Sequence, residues 1–129
     1  MSSDELLQIG EVSTRTELSI KTIRHYDDVG LVRPSARSGG GFRLYTTGDV
    51  GRLVAIRRMK PLGFTLDEMR DLLAALDTLA DPSFGDADRA QATAFLSVCH
   101  TRAQEACATL TKQLTYAREL TDQLAEFSS

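Results

Sequence analysis

The feature that most limits how this chain can fold is a stretch near its end, residues 86–127, which contains neither glycine nor proline. About 40 residues without a helix breaker can form one helix close to 60 Å long, at 1.5 Å per residue. Small and apolar residues recur along it at alternating steps of three and four, the spacing of a coiled-coil seam. The seam consists of Leu96, Cys99, Ala103, Ala106, Leu110, Gln113, Ala117, Leu120, Leu124 and Phe127.

A helix of this length needs a partner for its seam, in which Gln113 is the one polar position. No second helix of comparable length can be drawn in the rest of the sequence. A second copy of the chain is the simplest partner, so we expect a two-fold homodimer. The alternative is that the helix folds back and packs on residues 1–78.

Charge is divided unevenly along the chain. The formal net charge is −3 over all 129 residues. Residues 1–60 contain 10 Lys and Arg against 7 Asp and Glu, a net of +3, whereas residues 61–129 contain 5 against 11, a net of −6. A basic first half beside an acidic second half predicts that any contact with a polyanion lies in the first half.

Composition predicts a cytoplasmic protein with no membrane partner. The chain is 42% hydrophobic and 26% charged, which is ordinary for a globular protein. No apolar run approaches the ~20 residues that span a bilayer, and the N-terminus MSSDELLQ lacks the pattern of a secretory signal. The two cysteines are expected to be reduced thiols and not a disulfide.

The start of the basic half has the pattern of two short helices joined by a turn. The first helix is expected over about 9–14, and the following RTEL can form a tight turn. Ser19 is a strong N-cap for a second helix over 20–29, because its hydroxyl can accept from the free amides of the first turn. Gly30 suits the end of that helix, where a left-handed residue is needed. The pair predicts a helix-turn-helix.

The second helix combines apolar and cationic positions. Ile20, Ile23 and Tyr26 recur on one face, which is expected to be buried. A helix that enters the major groove of DNA presents short polar groups and long cations near its start. An ordinary solvated face is the alternative, and Tyr26 fits a place in the core equally well. The candidate DNA-binding residues here are Ser19, Lys21, Thr22, Arg24 and Tyr26.

A glycine-rich segment after this helix predicts a small β-hairpin, or wing. Two β-like runs, 31–33 and 42–45, flank a loop over 38–41 with three consecutive glycines. Basic and aromatic side chains around a glycine turn suit phosphate and minor-groove contacts. The alternative is a solubilising hairpin with both aromatic rings buried, and for Tyr45 burial is favoured. The candidate wing residues are Arg37, Ser38, Phe42, Arg43 and Tyr45.

Two further helices are expected before the long one. Thr47 or Asp49 can cap a helix over 50–60. Thr65 is followed three residues later by Glu68, the capping-box pattern that starts the next helix. A third basic cluster, of a kind that alone is usually solvated surface, consists of Arg57, Arg58 and Lys60.

The chain offers little for catalysis. The two histidines, His25 and His100, lie on different segments, and the sequence has no P-loop and no GxGxxG. No Ser-His-Asp or Cys-His arrangement can be argued from these positions. We therefore expect neither an enzyme nor a bound cofactor.

Two thiols and an imidazole on the long helix leave a sensing role open. Cys99, His100 and Cys107 can supply soft ligands to a metal or a redox-active thiol. The two cysteines lie about 80° apart around an ideal helix, so one helix alone cannot chelate a metal with both. We favour the alternative, in which both are small packing residues and no metal site is present.

Four motifs occur in order between Ile9 and Leu73: the helix-turn-helix, the run TIRHYDDVGLV, the wing GFRLY and the junction LGFTLDEM. Together they resemble the DNA-binding domain of the MerR family of transcriptional regulators. The resemblance implies a mainly α fold, in which a winged helix-turn-helix DNA-binding domain precedes a long dimerisation helix that forms an antiparallel coiled coil. The expected domains are 1–78 for DNA binding, 79–87 as a linker and 88–129 for dimerisation, with no separate effector domain.

The resemblance also implies a function. Members of the family bind pseudo-palindromic promoters as homodimers, and distort an overlong promoter spacer so that RNA polymerase can engage both promoter elements. The acids Asp27 and Asp28 fall at the end of the recognition helix, away from its groove-facing start. Matching positions carry the family's DNA contacts over to Lys21, Thr22, Arg24 and Tyr26 on the helix, Arg37, Phe42 and Arg43 on the wing, and Arg57, Arg58 and Lys60.

Some features depart from the family pattern. Phe42 stands where the family often has tyrosine, and His25 where an aromatic ring is usual. The cysteine-containing loop that metal- and redox-sensing members carry after the dimerisation helix is absent from the sequence up to Ser129. Two alternative functions stay open: an architectural winged-helix protein that bends DNA without acting on RNA polymerase, and a thiol or metal sensor that uses Cys99 and Cys107.

Overall fold

The chain is mainly helical, as predicted. The computed structural model describes residues 5–128. The strands in this part of the chain are β1 (Leu7–Gln8), β2 (Ala36–Arg37) and β3 (Arg43–Tyr45). The helices are α1 (Ile9–Thr16), α2 (Ile20–Asp28), α3 (Thr47–Met59), α4 (Leu66–Ala80) and α5 (Asp86–Ala125), with a short 3₁₀ helix at Lys60–Leu62.

Helices α1 and α2 form the predicted helix-turn-helix. Ser19 is the N-cap of α2, and its Oγ accepts the amide proton of Thr22 at 3.0 Å. Gly30 follows the helix with a φ of +72°, the left-handed conformation that favours glycine. Both predictions are confirmed, because each rests on residues that are close together in the sequence.

The buried face of α2 is narrower than the sequence predicted. Ile23 and Tyr26 are buried, whereas Ile20 is 36% exposed. Ile20 is the first residue of the helix, and Leu18 in the preceding turn is buried instead. The prediction that Ile20 belongs to the buried face is therefore wrong.

The wing is part of a three-stranded antiparallel sheet in the order β1-β3-β2. Strands β2 and β3 place Arg37 opposite Arg43, and β1 places Leu7 opposite Tyr45. Strand β1 has only two residues, which is too short to show the alternating pattern that marks a strand in a sequence. The sheet therefore joins the start of the chain to the wing, a pairing that local patterns did not predict.

The predicted strand over 31–33 is wrong. The amides of Leu31 and Val32 both donate to the carbonyl oxygen of Tyr26, at 2.8 and 3.2 Å. Both side chains are buried. This apolar run therefore closes the end of α2 and fills the core, and the first strand of the hairpin follows it at Ala36–Arg37.

Helices α3 and α4 both begin with a reciprocal capping box. The N-cap of α3 is Thr46, not Thr47 or Asp49 as predicted: Thr46 Oγ1 accepts from the Asp49 amide at 3.1 Å, and the Asp49 carboxylate accepts from the Thr46 amide at 2.9 Å. The predicted box before α4 is confirmed, since the Thr65 amide donates to Glu68 Oε1 at 2.8 Å. Each box satisfies amides that a helix start leaves without partners.

The chain divides into two compact units between Ala74 and Ala75. In the second unit, Arg89 of α5 donates to the carbonyl oxygen of Thr78 in α4 at 3.3 Å. The domain limits drawn from the sequence, with a linker over 79–87, stay a prediction beside these bounds. The largest fully buried hydrophobic side chains of the first unit are Val12, Ile23, Tyr45, Leu53 and Ile56.

Helix α5 is continuous over 40 residues, as predicted. Several of its side chains up to Ala106 are buried or half-buried, whereas every residue from Cys107 to Ser128 is exposed. Across residues 5–128, no helix is both long enough and apolar enough to cross a membrane.

Candidate nucleic-acid interface

The exposed face of α2 carries two cations and an imidazole. Lys21, Arg24 and His25 are exposed, and Thr22 is half-buried. The Ser19 hydroxyl donates to Thr22 Oγ1 at 2.8 Å, so the two hydroxyls form a polar cluster at the start of the helix. The first turns of α2 therefore present the short polar groups and long cations that suit a major groove.

Tyr26 lies on the opposite side of this helix. It is buried, and the ring of His25 packs against its ring at a tilt, with 5.9 Å between the centroids. Burial favours the place in the core that the sequence left open for Tyr26. Its predicted contact with DNA stays a prediction.

The tip of the wing exposes an aromatic ring. Phe42 is 71% exposed, so the alternative in which the hairpin buries it is wrong. The tip is closed by two backbone hydrogen bonds, from the Ser38 amide to Phe42 O and from the Gly41 amide to Ser38 O, both 2.9 Å long. Gly41 has a φ of +85°, a conformation that a larger residue adopts only with strain. The turn thus holds Phe42 away from the core.

The two wing arginines are engaged by an acid of α2. Arg43 donates from Nε to Asp27 Oδ2 at 2.7 Å, and Arg37 Nη2 lies 3.5 Å from the same oxygen. The hydrogen bond to Asp27 raises the pKa of the Arg43 guanidinium above its ordinary value. Sequence reasoning placed Asp27 at the unused end of the helix and missed this role, because its partners are 10 and 16 residues away.

The three cations of the third basic cluster have different surroundings in the structure. Arg57 donates from Nη1 to the carbonyl oxygen of Thr16 at 2.8 Å and lies 3.5 Å from Glu17 Oε2. It thereby holds the turn of the helix-turn-helix, where Glu17 has a φ of +62°. Arg58 and Lys60 are exposed. Two cations of this cluster are thus available to a ligand, and the third is bound to the protein.

A shallow cavity of about 130 Å³ lies between the recognition helix and the wing. Arg24 contributes from the helix, and Phe42 from the wing tip. The cavity shows that the two predicted DNA-binding elements border one continuous surface. Its lining residues are Gln8, Ile9, Arg24, Gly41, Phe42 and Arg43.

The exposure of the predicted seam of α5 changes along the helix. Leu96, Cys99, Ala103 and Ala106 are half-buried, whereas Leu110, Ala117, Leu120 and Leu124 are exposed. Leu114, which lies outside the predicted seam, is also exposed and lies one turn after Leu110. The second half of α5 therefore presents apolar side chains that no part of the described chain covers.

Comparison with known families decides the classification. The family model for the MerR HTH family regulatory protein matches residues 7–76, more than half of the chain. The chain belongs to the MerR family. A second family model, described as MerR, DNA binding, matches residues 50–127. The MerR family consists of regulatory proteins, which confirms the prediction that the chain is not an enzyme.

Curated relatives of this MerR-family chain are a little over two fifths identical to it over the aligned residues. The HTH-type transcriptional regulator HmrR of Rhizobium leguminosarum bv. viciae is 44% identical over 86 residues, which cover 67% of this chain and 60% of HmrR. The HTH-type transcriptional regulator ZntR of Escherichia coli (strain K12) is 41% identical over 69 residues, covering 54% and 49%. The chain thus spans between about half and 60% of the length of these relatives.

Solved structures of MerR regulators share the fold. The transcription regulator PbrR691 from Ralstonia metallidurans CH34, solved with lead(II), is 31% identical with a TM-score of 0.57, covering 90% of this chain and 84% of PbrR691. HiNmlR, a MerR family regulator lacking the sensor domain, was solved bound to promoter DNA. It gives a TM-score of 0.66 at 20% identity, covering 94% of this chain and 89% of HiNmlR.

Cys99 and Cys107 of this MerR-family protein do not form a disulfide with each other. Cys99 is half-buried and Cys107 is exposed. Among residues 5–128, no group of three or more His, Cys, Asp or Glu side chains is placed to hold a metal ion. The sensing role of Cys99, His100 and Cys107 stays an alternative prediction.

The buried side chain of Tyr45, in strand β3 of the wing, leads to a prediction about the stability of the fold. Tyr45 is fully buried, which confirms the expected burial, and its hydroxyl has no hydrogen-bond partner within residues 5–128. A buried hydroxyl without a partner costs free energy. We expect Tyr45→Phe to leave the free energy of unfolding unchanged or to raise it by about 1 kcal/mol, measured by urea denaturation.

The stability of Tyr45→Phe should fall less at alkaline pH than that of the wild type. Burial raises the pKa of Tyr45 in the folded chain, so the unfolded chain releases this proton first and stability falls above a pH of about 10. That loss should shrink in Tyr45→Phe and persist in Tyr116→Phe, because Tyr116 is exposed. A destabilised Tyr45→Phe would show that the hydroxyl has a partner in solution.

Proposed function

We propose that this chain is a homodimeric transcriptional regulator that binds double-stranded promoter DNA in a sequence-specific manner. The observation that carries the proposal is the continuous surface on which Arg24 of α2 and Phe42 of the wing border one cavity. A helix that fits the major groove thus lies beside a wing that fits the adjacent backbone or minor groove. The match of residues 50–127 to the MerR, DNA binding family model supports the same function.

The charges of residues 1–60 suit a polyanion. Residues 1–60 have a net charge of +3, and the exposed cations include Lys21, Arg24, Arg58 and Lys60. In the proposed complex, Arg24 reads a base edge beside Ser19 and Thr22, while the other cations bind phosphates. Binding is then strongly salt-dependent, because each neutralised phosphate releases counterions.

The exposed half of α5 supports a homodimer. The seam residues Leu110, Leu120 and Leu124, with Leu114 beside them, lie on α5 within residues 107–128, which are all exposed. Exposed apolar side chains at coiled-coil spacing mark an association surface. In the proposed antiparallel dimer this seam is covered by the same seam of a second chain, which forms a two-fold symmetric pair.

A two-fold dimer predicts a two-fold site. Two recognition helices related by symmetry bind two half-sites, so the operator is pseudo-palindromic. HmrR and ZntR are named transcriptional regulators, and they are 44% and 41% identical to this chain over 86 and 69 aligned residues. We infer that the dimer distorts its promoter and thereby modulates RNA polymerase.

Transcription in vitro separates this function from an architectural one. The template is the DNA upstream of the protein's own gene, transcribed by RNA polymerase with increasing amounts of the full chain. We expect the transcript yield to change over the concentration range in which the specific site fills, and to stay constant with Arg24→Ala. Specific binding that never changes the yield, with or without metal ions and thiol oxidants, would instead favour an architectural DNA-bending protein.

A further inference from the structure

The end of the recognition helix carries an acid that lies beside wing residues proposed to contact DNA. Asp27 lies in the last turn of α2, three residues after Arg24. Its side chain is only 12% exposed, whereas that of the neighbouring Asp28 is 72% exposed. A charge that is withdrawn from water in this way needs a partner, so the partners of Asp27 indicate what it does.

Both strands of the wing supply a cation to Asp27. Arg43 of β3 donates to Asp27 Oδ2 at 2.7 Å, and Arg37 of β2 lies 3.5 Å from the same oxygen. The two arginines are directly opposite each other in the β2–β3 pair. One carboxylate of α2 therefore holds both strands of the wing.

The contact extends to the wing tip through Arg37. Its Nη1 donates to the carbonyl oxygen of Gly41 at 3.1 Å. Gly41 directly precedes Phe42, the exposed ring of the tip. The placement of Phe42 relative to the recognition helix thus depends on Asp27 through the two arginines.

The same pairing removes two cations from the set that can bind DNA freely. A guanidinium that shares a carboxylate has less charge to offer a phosphate, and its side chain is held in one direction. The side chain of Arg43 is only 24% exposed. Arg37 and Arg43, which the family resemblance assigned to DNA contact, are therefore better placed to orient the wing.

We propose that Asp27 is a positioning residue for DNA recognition. It fixes the wing against the recognition helix and prevents Arg37 and Arg43 from binding phosphates without regard to sequence. Asp27 acts through these arginines and not by touching DNA. The inference rests on the proposed function, because it assigns Asp27 a part in selective binding.

The test compares two variants of the full chain that each lose one negative charge. Asp27→Asn keeps the shape of the side chain and removes its charge. Asp28→Asn is the matched control, because Asp28 is the next residue and its approach to Arg43 is longer, at 3.8 Å. Affinity is measured for the protein's own upstream site and for random DNA of equal length, over a series of salt concentrations.

We expect Asp27→Asn to lower the ratio of specific to non-specific affinity about tenfold, the effect of losing one good base-pair contact. Its non-specific affinity should rise. The slope of log affinity against log salt should steepen by about two to four for the proposed dimer, since one or two arginines per chain are released and each added phosphate contact contributes about 0.9. Asp28→Asn should leave the affinity ratio unchanged. Asp27→Glu, which restores the charge, should recover the ratio.

Two results would overturn this role. An unchanged affinity ratio in Asp27→Asn would show that the wing needs no positioning by this acid. An equal loss of both affinities, together with a lower melting temperature, would show that Asp27 only stabilises the fold. Neither a rise in non-specific affinity nor a steeper salt slope is expected from lost stability alone.

A measurement without DNA separates this inference from the proposed function. Amide hydrogen exchange at Ser38 and Gly41 reports the two hydrogen bonds that close the wing tip. We expect faster exchange at both amides in Asp27→Asn and no change in Asp28→Asn. If the wild-type chain binds no DNA selectively, the proposed function fails. Unchanged exchange in Asp27→Asn, by contrast, refutes the positioning of the wing by Asp27.

Discussion

Leu110→Asp is expected to convert the proposed dimer into monomers. Leu110 lies on the exposed apolar seam of α5, and a two-fold interface would bury two new carboxylates among apolar side chains. An uncompensated charge in such a place costs about 2 kcal/mol or more per copy. About 4 kcal/mol per dimer weakens dimerisation roughly thousandfold, which sedimentation equilibrium measures directly.

The loss of the dimer should carry over to DNA binding. A dimer binds its second half-site intramolecularly, and that linkage raises affinity by about 10² to 10⁴. Leu110→Asp should therefore bind its operator at least about a hundredfold more weakly, while the helix content by circular dichroism changes little.

Thr115→Asp is the matched control for this variant. It adds the same charge to the same helix, five residues later and about 140° around it from Leu110. Thr115 is exposed, so this variant should stay dimeric and bind DNA normally. A Leu110→Asp variant that still sediments as a dimer would show that the seam lies elsewhere on α5.

Arg24→Ala is expected to remove sequence discrimination. Arg24 is exposed on the side of α2 that is proposed to face the groove, and it lines the cavity beside the wing. A bidentate contact between arginine and guanine contributes about 1–3 kcal/mol of discrimination, and a dimer makes two. Specific affinity should therefore fall about 30-fold or more, whereas affinity for random DNA should fall only a few-fold.

Electrophoretic mobility shift with specific and random DNA measures both losses of Arg24→Ala. Arg118→Ala is the control, because it removes the same charge from an exposed position on α5. Its affinity ratio should match that of the wild type. Equal losses of specific and non-specific affinity in Arg24→Ala would show that Arg24 binds phosphate and reads no base.

The parts of the fold that the sequence predicted correctly are those with local causes. Ser19 accepts from an amide three residues away, and Thr65 and Glu68 cap each other across the same distance. Gly30 adopts its left-handed conformation two residues after the end of α2. The continuous α5 follows from the absence of a breaker between residues 86 and 125.

The parts that were missed depend on residues far apart in the chain. Asp27 pairs with arginines 10 and 16 residues away, and Arg57 donates to a carbonyl 41 residues away. The sequence shows the charge of these side chains but does not show which groups they contact. The sequence assigned Arg37, Arg43 and Arg57 to DNA and did not predict that all three also make contacts within the protein. Their contacts with DNA stay a prediction.

One apolar run illustrates why hydrophobic periodicity alone did not predict the strands of the wing correctly. Leu31 and Val32 have the residue types of a strand, but their amides are used by Tyr26 O at the end of α2. A backbone amide that already has a partner cannot join a β-ladder. The position of the end of α2 in the folded chain determines whether these amides bind the Tyr26 carbonyl oxygen or a neighbouring strand.

Footprinting of the full chain on the DNA upstream of its own gene tests the central claim most directly. A homodimer of winged helix-turn-helix domains should protect two symmetric half-sites whose centres lie about 10–10.5 base pairs apart or a multiple of that distance. The symmetry axis should fall within a promoter spacer, and distortion should appear there as altered cleavage. A single asymmetric footprint, or protection without sequence preference that disappears at physiological salt, would contradict a dimeric, sequence-specific regulator.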